Sequence, residues 1–258
     1  MILAAVTVAG LLLFLWPFLG LGVPADTPAL AVAAALVLGV AAVEIGARRL
    51  DSRRLALLAT LAAVDALLRA AVVVGIAGFS PIFLLVLCAG YAFGPRYGFL
   101  VGASALLVSA LVTGGMGPWV PYEMLGVGWT GMVAGLAGVG RGNRPPGRRD
   151  IAVLAVVALL LGWAYGILLD AWDWTGFRGD PGIGWTPGMP PATAIAHFVR
   201  FWLTTSLGYD TFRAVGDALA VVVVGGPVLL AMARFRRRFG HVVVADLAAV
   251  ERVGAPTT

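Results

Sequence analysis

Long apolar runs, separated by short polar segments, dominate this sequence of 258 residues. A helix needs about 20 mostly apolar residues to cross the hydrocarbon core of a bilayer, and most of the runs approach that length. Hydrophobic residues make up 60% of the chain and charged residues only 12%, which lies outside the range of soluble globular domains. The sequence therefore predicts an all-α integral membrane protein of about eight transmembrane helices. The expected spans are 2–22, 28–46, 55–78, 80–94, 97–114, 121–139, 151–170 and 213–233.

The arginines predict the orientation of the chain. All 18 basic residues are arginine, and most of them stand in clusters between apolar runs. Because positive charge collects in the cytoplasmic loops of membrane proteins, eight spans place four clusters and both termini on the cytoplasmic side. We expect a multi-pass protein of a bacterial plasma membrane, and this clustering argues against a nucleic-acid partner. The clusters are Arg48, Arg49, Arg53 and Arg54; Arg96; Arg141, Arg144, Arg148 and Arg149; and Arg234, Arg236, Arg237 and Arg238.

The loops on the opposite side are rich in tryptophan, and the longest of them spans residues 171–212. A connection of that length is uncommon unless it binds or covers something, and its aromatic content argues against disorder. Aromatic faces with a few polar groups are typical of ligand sites, so we expect this loop to close over a ligand. The alternative is an aromatic belt at the membrane interface. The tryptophans concerned are Trp119, Trp172, Trp174, Trp185 and, on an amphipathic segment at 192–207, Trp202. The other expected outer loops are 23–27, 78–80 and 114–123.

The segment from Tyr91 to Gly138 reads YAFGPRYGFLVGASALLVSALVTGGMGPWVPYEMLGVGWTGMVAGLAG. Its FGPRYG turn, its GP element and the EML that opens a glycine-rich helix resemble the substrate-binding S components of energy-coupling-factor (ECF) vitamin transporters. The cobalamin-type members are the most similar. The likeness extends loosely over 55–239, which holds six predicted spans, the usual number in that family. It implies a six-helix core at 51–240 and a cytoplasmic tail at 241–258. The two accessory N-terminal helices at 1–50 are extra and depart from the family's pattern.

The resemblance implies a subunit that captures a vitamin outside the cell and is not itself an enzyme. Cobalamin or a related corrinoid is the expected ligand, while a thiamine precursor, a queuosine precursor, biotin and riboflavin stay open. The implied partners are a transmembrane coupling subunit and two ATP-binding subunits, since this chain has no GxxxxGK[ST] phosphate loop. No metal or resident cofactor is expected, because the sequence has no HExxH motif and a single cysteine, Cys88.

S components are thought to dock onto the coupling subunit through small residues on the first core helix. Small residues four apart let membrane helices approach closely. Here such pairs arise within LALLATLAAVDALLRAA. The expected docking residues are Ala59, Ala62, Ala63 and Ala66.

Four polar residues accompany the expected binding site: Asp65, Arg69, Glu123 and His197. Asp65 and Arg69, four apart in one helix, either form an inward ion pair or leave Arg69 to reach an anionic ligand group. Glu123 begins a helix, where it either caps free amides or lines the pocket. His197 either satisfies a local hydrogen bond or contacts the ligand. The expected substrate-binding residues are Arg69, Trp119, Tyr122, Glu123, Trp172, Trp174, Trp185, His197 and Trp202.

An intramembrane transferase is the alternative class of protein. Asp170 and Asp173 resemble the acidic pairs that hold magnesium and diphosphate in such enzymes, and Asp210 with Asp217 offers a second pair. The first pair lacks the longer acidic repeat of that class, and both pairs fall on the outer side. The stripe of Asp210, Arg213 and Asp217 also suits intrahelical ion pairs.

Overall fold

The structure, a computed structural model, describes residues 2–19, 26–47, 50–71, 80–142 and 144–253. In this part of the chain every regular element is helical. The elements are α1 (Ile2–Leu15) with a 3-10 turn at Trp16–Leu19, α2 (Asp26–Gly46), α3 (Ser52–Ala71), α4 (Ile82–Phe93), α5 (Pro95–Thr113), α6 (Val120–Ala137), α7 (Arg148–Trp174), α8 (Pro191–Thr205) and α9 (Leu207–Val253). The predicted loops at 23–27 and 78–80 lie partly outside the described residues. Arg48 and Arg49 lie entirely outside them.

Among the described residues, four helical segments are long and apolar enough to cross a membrane: Ile2–Leu19, Pro95–Thr113, Arg148–Trp174 and Leu207–Arg237. The chain is therefore an all-helical, membrane-embedded protein, as the sequence predicted. Each of the eight predicted spans overlaps a helix, but α4 has only 12 residues. The number of spans and the side that each terminus faces stay predictions. The last helix continues to Val253, through most of the segment predicted as a tail.

Glycine contacts between α4, α5 and α6 form the tightest part of the core. A Cβ added at Gly90 or Gly98 would collide with the carbonyl oxygen of Gly131, and one at Gly131 would collide with that of Gly98. Membrane helices associate mainly by packing, and small residues let their backbones meet. The turn between α4 and α5 depends on Gly94, whose φ of 98° is unfavourable for other residues. The glycine-rich segment of the sequence thus builds a three-helix junction.

The N-terminal helices, predicted as accessory, share the hydrophobic core of the other helices. The ring of Trp129 on α6 fills the space beside Gly10, and Phe14 packs on the same ring with centroids 5.7 Å apart. Glu44 at the end of α2 forms an ion pair with Arg96, at 3.1 Å. The structure therefore joins residues 1–50 to the core by direct contacts.

The two ends of the helix assembly differ in chemistry. At one end, the Tyr97 hydroxyl donates to the Arg54 carbonyl at 3.1 Å, and the Arg236 guanidinium donates to the Ala92 carbonyl at 2.9 Å and to that of Gly142. Arg54, Arg96 and Arg236 line one crevice here, and Arg141 lies within electrostatic range of Arg236, so we call this the arginine end. The opposite end, which holds Trp119, Trp172 and the long loop, is called the tryptophan end.

Candidate functional site

An aromatic layer lies beneath the tryptophan end. Tyr122, in the first turn of α6, is buried between two rings from other helices. Phe14 of α1 meets it edge-on with centroids 5.0 Å apart, and Trp172 of α7 lies tilted against it at 4.7 Å. Tyr122 and Trp172, both predicted to bind substrate, are therefore in contact. Phe14, which no sequence motif marks, completes the layer.

An ion pair lies beside this layer. Arg69 at the end of α3 approaches the carboxylate of Glu123 with 3.9 Å between Nη2 and Oε2. This separation is too long for a hydrogen bond. The two charges attract each other, but no hydrogen bond joins these two atoms. The Nη1 atom of Arg69 and the indole Nε1 of Trp172 are buried and have no hydrogen-bond partner among the described residues. The site thus combines two available donors with a nearby carboxylate.

The expected ion pair between Asp65 and Arg69 is not formed. Asp65 is fully buried on the inward side of α3, and neither of its carboxylate oxygens has a hydrogen-bond partner among the described residues. Arg69 is one turn further toward the tryptophan end, where Glu123 of α6 competes for it. Arg69 therefore pairs with Glu123 of a neighbouring helix, a contact that residue spacing in the sequence does not reveal.

A second cluster forms a small core of its own within the long loop. We call the loop 175–190 together with α8 the lid. Trp174 and Trp185 are only 3% and 5% exposed and pack with Phe201 of α8. The Trp174 indole donates to the Ile183 carbonyl at 2.6 Å, and His197 Nδ1 donates to the Gly184 carbonyl at 2.9 Å. These three predicted binding residues therefore hold the lid together, and His197 takes the local hydrogen bond that was one of its two expected roles.

The N-terminal segment supports the lid. Phe18 in the 3-10 turn packs on Trp185 with centroids 5.7 Å apart and on Trp174 at 6.2 Å. Arg178 lies over the Trp185 ring at 5.7 Å from the other direction. Because Phe18 stands in a uniformly apolar run, no motif in the sequence marks it as a lid contact.

Polar side chains join the lid to α7 and α9. Ser206 donates to Asp170 at 2.8 Å, the Trp202 indole donates to Asp210 at 2.9 Å, and Arg213 pairs with Asp210 at 2.7 Å. A Cβ at Gly166 would collide with the Asp210 carboxylate, so that glycine lets α9 approach α7. The intrahelical pair of Asp210 and Arg213 was predicted; the contacts of Ser206 and Trp202 were not. Trp202 therefore acts as an anchor of the lid.

The members of each acidic pair of the transferase alternative differ in their surroundings. Asp173 is exposed, whereas Asp170 is partly buried beside Ser206 and close to Asp210. Asp217 is buried deeper in α9. The carboxylates that meet are thus Asp170 and Asp210, one from each predicted pair.

The remaining predicted residues lie at the surface or on α3. Trp119 is 43% exposed and its indole donates to the Gly115 carbonyl at 3.2 Å, a position that suits a membrane-interface tryptophan. Ala59 and Ala63 are exposed on one face of α3. Ala62 and Ala66 are 3% and 1% exposed and face the core, and the docking role of the four alanines stays a prediction.

The fold and the site define an all-helical, membrane-embedded protein whose tryptophan end carries a group of polar and aromatic side chains and a separately packed lid. No family model, no curated protein and no solved structure matches the chain.

Replacing Trp174 by phenylalanine is expected to loosen the lid. The substitution keeps the ring but removes the indole hydrogen bond to Ile183, which contributes about 1 kcal/mol. Trypsin cleavage after the exposed Arg178 should then be about fivefold faster in limited proteolysis, because local opening exposes the chain. Trp172→Phe is the control, since that indole makes no hydrogen bond. Equal cleavage rates in the two variants would show that the Trp174 bond does not hold the lid.

Proposed function

We propose that this chain is the substrate-binding S component of an ECF-type importer. In this function it captures a vitamin from outside a bacterial cell and passes it, through a membrane coupling subunit, to a transport step driven by two separate ATP-binding subunits. Cobalamin or a related corrinoid is the proposed ligand. The chain itself carries out no chemical reaction.

The observation that carries the proposal is the set of polar groups at the tryptophan end that have no hydrogen-bond partner among the described residues. Leaving a buried donor without a partner costs about 1–3 kcal/mol, and the cost is greater for a charged group. Arg69 and Trp172 each hold such a donor beside the Tyr122 ring. A ligand with anionic or carbonyl oxygens and a broad apolar face would satisfy the donors and stack on the rings.

The helix arrangement agrees with the resemblance seen in the sequence. Six helices other than the lid helix α8 follow the N-terminal pair, namely α3 to α7 and α9, and of these α4 has only 12 residues. The FGPRYG sequence forms the α4–α5 turn at Gly94, and Glu123 of EML lies in the first turn of α6. The segment that resembles S components therefore joins the glycine junction to the candidate site.

The ligand is tested by purifying the chain in detergent without added ligand, then recording its visible absorption spectrum and the masses of small molecules released on denaturation. A corrinoid spectrum with a matching mass supports the proposed ligand. A different vitamin supports the S-component proposal and replaces cobalamin. If the protein is empty, added cobalamin is titrated by calorimetry, and failure to bind refutes the cobalamin assignment.

Docking to the coupling subunit is expected to depend on Ala63. Ala59 and Ala63 leave a shallow exposed surface on α3, and a larger side chain would hold a partner helix away. Ala63→Leu should lower the amount of co-purified coupling subunit at least about fivefold without changing ligand binding. The matched control is Ala164→Leu on the exposed face of α7. If both variants retain the coupling subunit equally, the α3 face is not the docking surface.

A further inference from the structure

A crevice of about 430 Å³ opens at the arginine end, between the end of α6 and the start of α7. Arg141, Arg144 and Arg149 line it, together with the Tyr91 ring and the side chain of Val139. The proposed vitamin site uses none of these residues, because it lies at the opposite end of the helices. The crevice is therefore a separate feature of the molecule.

Arg141 is the unusual residue of this crevice. Its side chain is only 6% exposed, and its Nε, Nη1 and Nη2 atoms all lack hydrogen-bond partners among the described residues. The guanidinium lies over the Tyr91 ring, 5.7 Å from the centroid. A ring face attracts the charge but accepts none of the five N–H bonds. A buried cation of this kind normally has an anionic partner.

The nearest carboxylate is already engaged. Asp150 accepts hydrogen bonds from the Tyr91 hydroxyl at 2.8 Å, from Arg144 at 3.0 Å and from the Gly147 amide at 2.8 Å. It lies within electrostatic range of Arg141 but forms no ion pair with it within 4.0 Å in the described part of the chain. Asp150 therefore offsets part of the Arg141 charge and leaves its N–H bonds unsatisfied.

Positive charge exceeds negative charge around the crevice. Three arginines line it, and Arg236 lies within electrostatic range of Arg141. Guanidinium groups match phosphate oxygens in geometry and bind them by paired, charge-assisted hydrogen bonds. Val139 at the rim is 70% exposed and Leu136, one turn earlier on α6, is 55% exposed. An apolar rim beside a basic crevice suits a lipid with an anionic headgroup.

We infer that this crevice binds a phosphate group through Arg141, carried by an anionic phospholipid of the surrounding membrane. The headgroup phosphate accepts hydrogen bonds from Arg141 and is attracted by Arg144 and Arg149. The acyl chains lie along the exposed side chains at the end of α6. This lipid fixes the α6–α7 connection against the membrane surface.

The test is native mass spectrometry of the detergent-purified protein, titrated with phosphatidylglycerol and, separately, with net-neutral phosphatidylcholine. Phosphatidylglycerol should bind more tightly, and Arg141→Gln should weaken its binding about tenfold, since hydrogen bonds to charged groups contribute that much. Arg148→Gln is the matched control: it removes the same charge from the same segment, but Arg148 is exposed and does not line the crevice. Its effect should stay within about twofold.

A second arm measures thermal stabilisation by inorganic phosphate, in order to distinguish lipid from free anion. Suppose that inorganic phosphate stabilises the protein only when Arg141 is present, and that phosphatidylglycerol binds no more tightly than phosphatidylcholine. The crevice is then a phosphate site, and its ligand is a free anion. Equal losses in Arg141→Gln and Arg148→Gln, or binding of both probes that is independent of Arg141, would overturn the inference. If Arg141→Gln does not fold, Arg141→Lys decides. Lysine keeps the charge but has fewer donors, so an about threefold loss is expected and unchanged affinity refutes the site.

Discussion

Replacing Gly131 by alanine is expected to destabilise the protein strongly. The new Cβ would meet the Gly98 carbonyl and lie 2.9 Å from the Val86 side chain, and a backbone group cannot move aside as a side chain can. Overpacking of a tight core costs about 3 kcal/mol, or more where backbone is displaced. The temperature at which half of the detergent-purified protein stays monodisperse should fall by roughly 10 °C, by the scaling of stability with melting temperature.

Gly39→Ala in α2 is the matched control, because a Cβ there meets nothing within 4 Å. Alanine favours a helix by about 1 kcal/mol over glycine, so this variant should be as stable as the parent or slightly more stable. If Gly131→Ala melted at the same temperature as Gly39→Ala, the close approach of α5 and α6 at Gly131 would be incorrect.

Arg69→Gln is expected to weaken cobalamin binding at least about tenfold, and this is the largest effect that we expect on function. The variant removes the charge of Arg69 and its Nη1 donor, which has no hydrogen-bond partner among the described residues, and a hydrogen bond to a charged group contributes about 1.5–3 kcal/mol. Arg69→Lys keeps the charge and should retain part of the affinity. Calorimetry with added cobalamin measures both variants.

Arg200→Gln is the control for this experiment. Arg200 is an exposed arginine on α8, at the same end of the molecule, and its loss should leave the affinity within about twofold of the parent. A detergent melting curve shows that each variant is folded. Equal affinities of folded Arg69→Gln and Arg200→Gln would mean that Arg69 serves only the ion pair with Glu123.

The positions of the helices could be predicted from the sequence because lipid imposes a simple rule. A segment in the bilayer must satisfy its own backbone hydrogen bonds, so each long apolar run becomes a helix. The amphipathic pattern at 192–207 likewise predicted a helix, and α8 spans Pro191–Thr205. Which helices touch was less accessible, because an apolar surface packs equally well on several neighbours. The contact of the N-terminal pair with α6 depends on Gly10 and Trp129, which no local pattern connects.

In the candidate site, too, individual residues could be predicted from the sequence but their contacts could not. The sequence marked Tyr122, Glu123 and Trp172 by their polar or aromatic character at the outer end, and the structure places all three near Arg69 or one another. It did not reveal the partners of Trp174 and Trp185, because Trp174 donates to the Ile183 backbone carbonyl within the lid and Trp185 packs on Phe18 of the distant N-terminal segment. Helical periodicity also left open which alanines of α3 face outward, since two interleaved pairs share the spacing of four.

The most direct test of the proposed function is co-expression of the tagged chain with an ECF coupling subunit and its two ATP-binding subunits, followed by purification through the tag. We expect a stable complex of all four proteins. Ala63→Leu should reduce the amount of complex that is purified, and Ala164→Leu should not. A folded, monodisperse chain that leaves all three partners behind would contradict the assignment as an S component, whatever small molecule it binds.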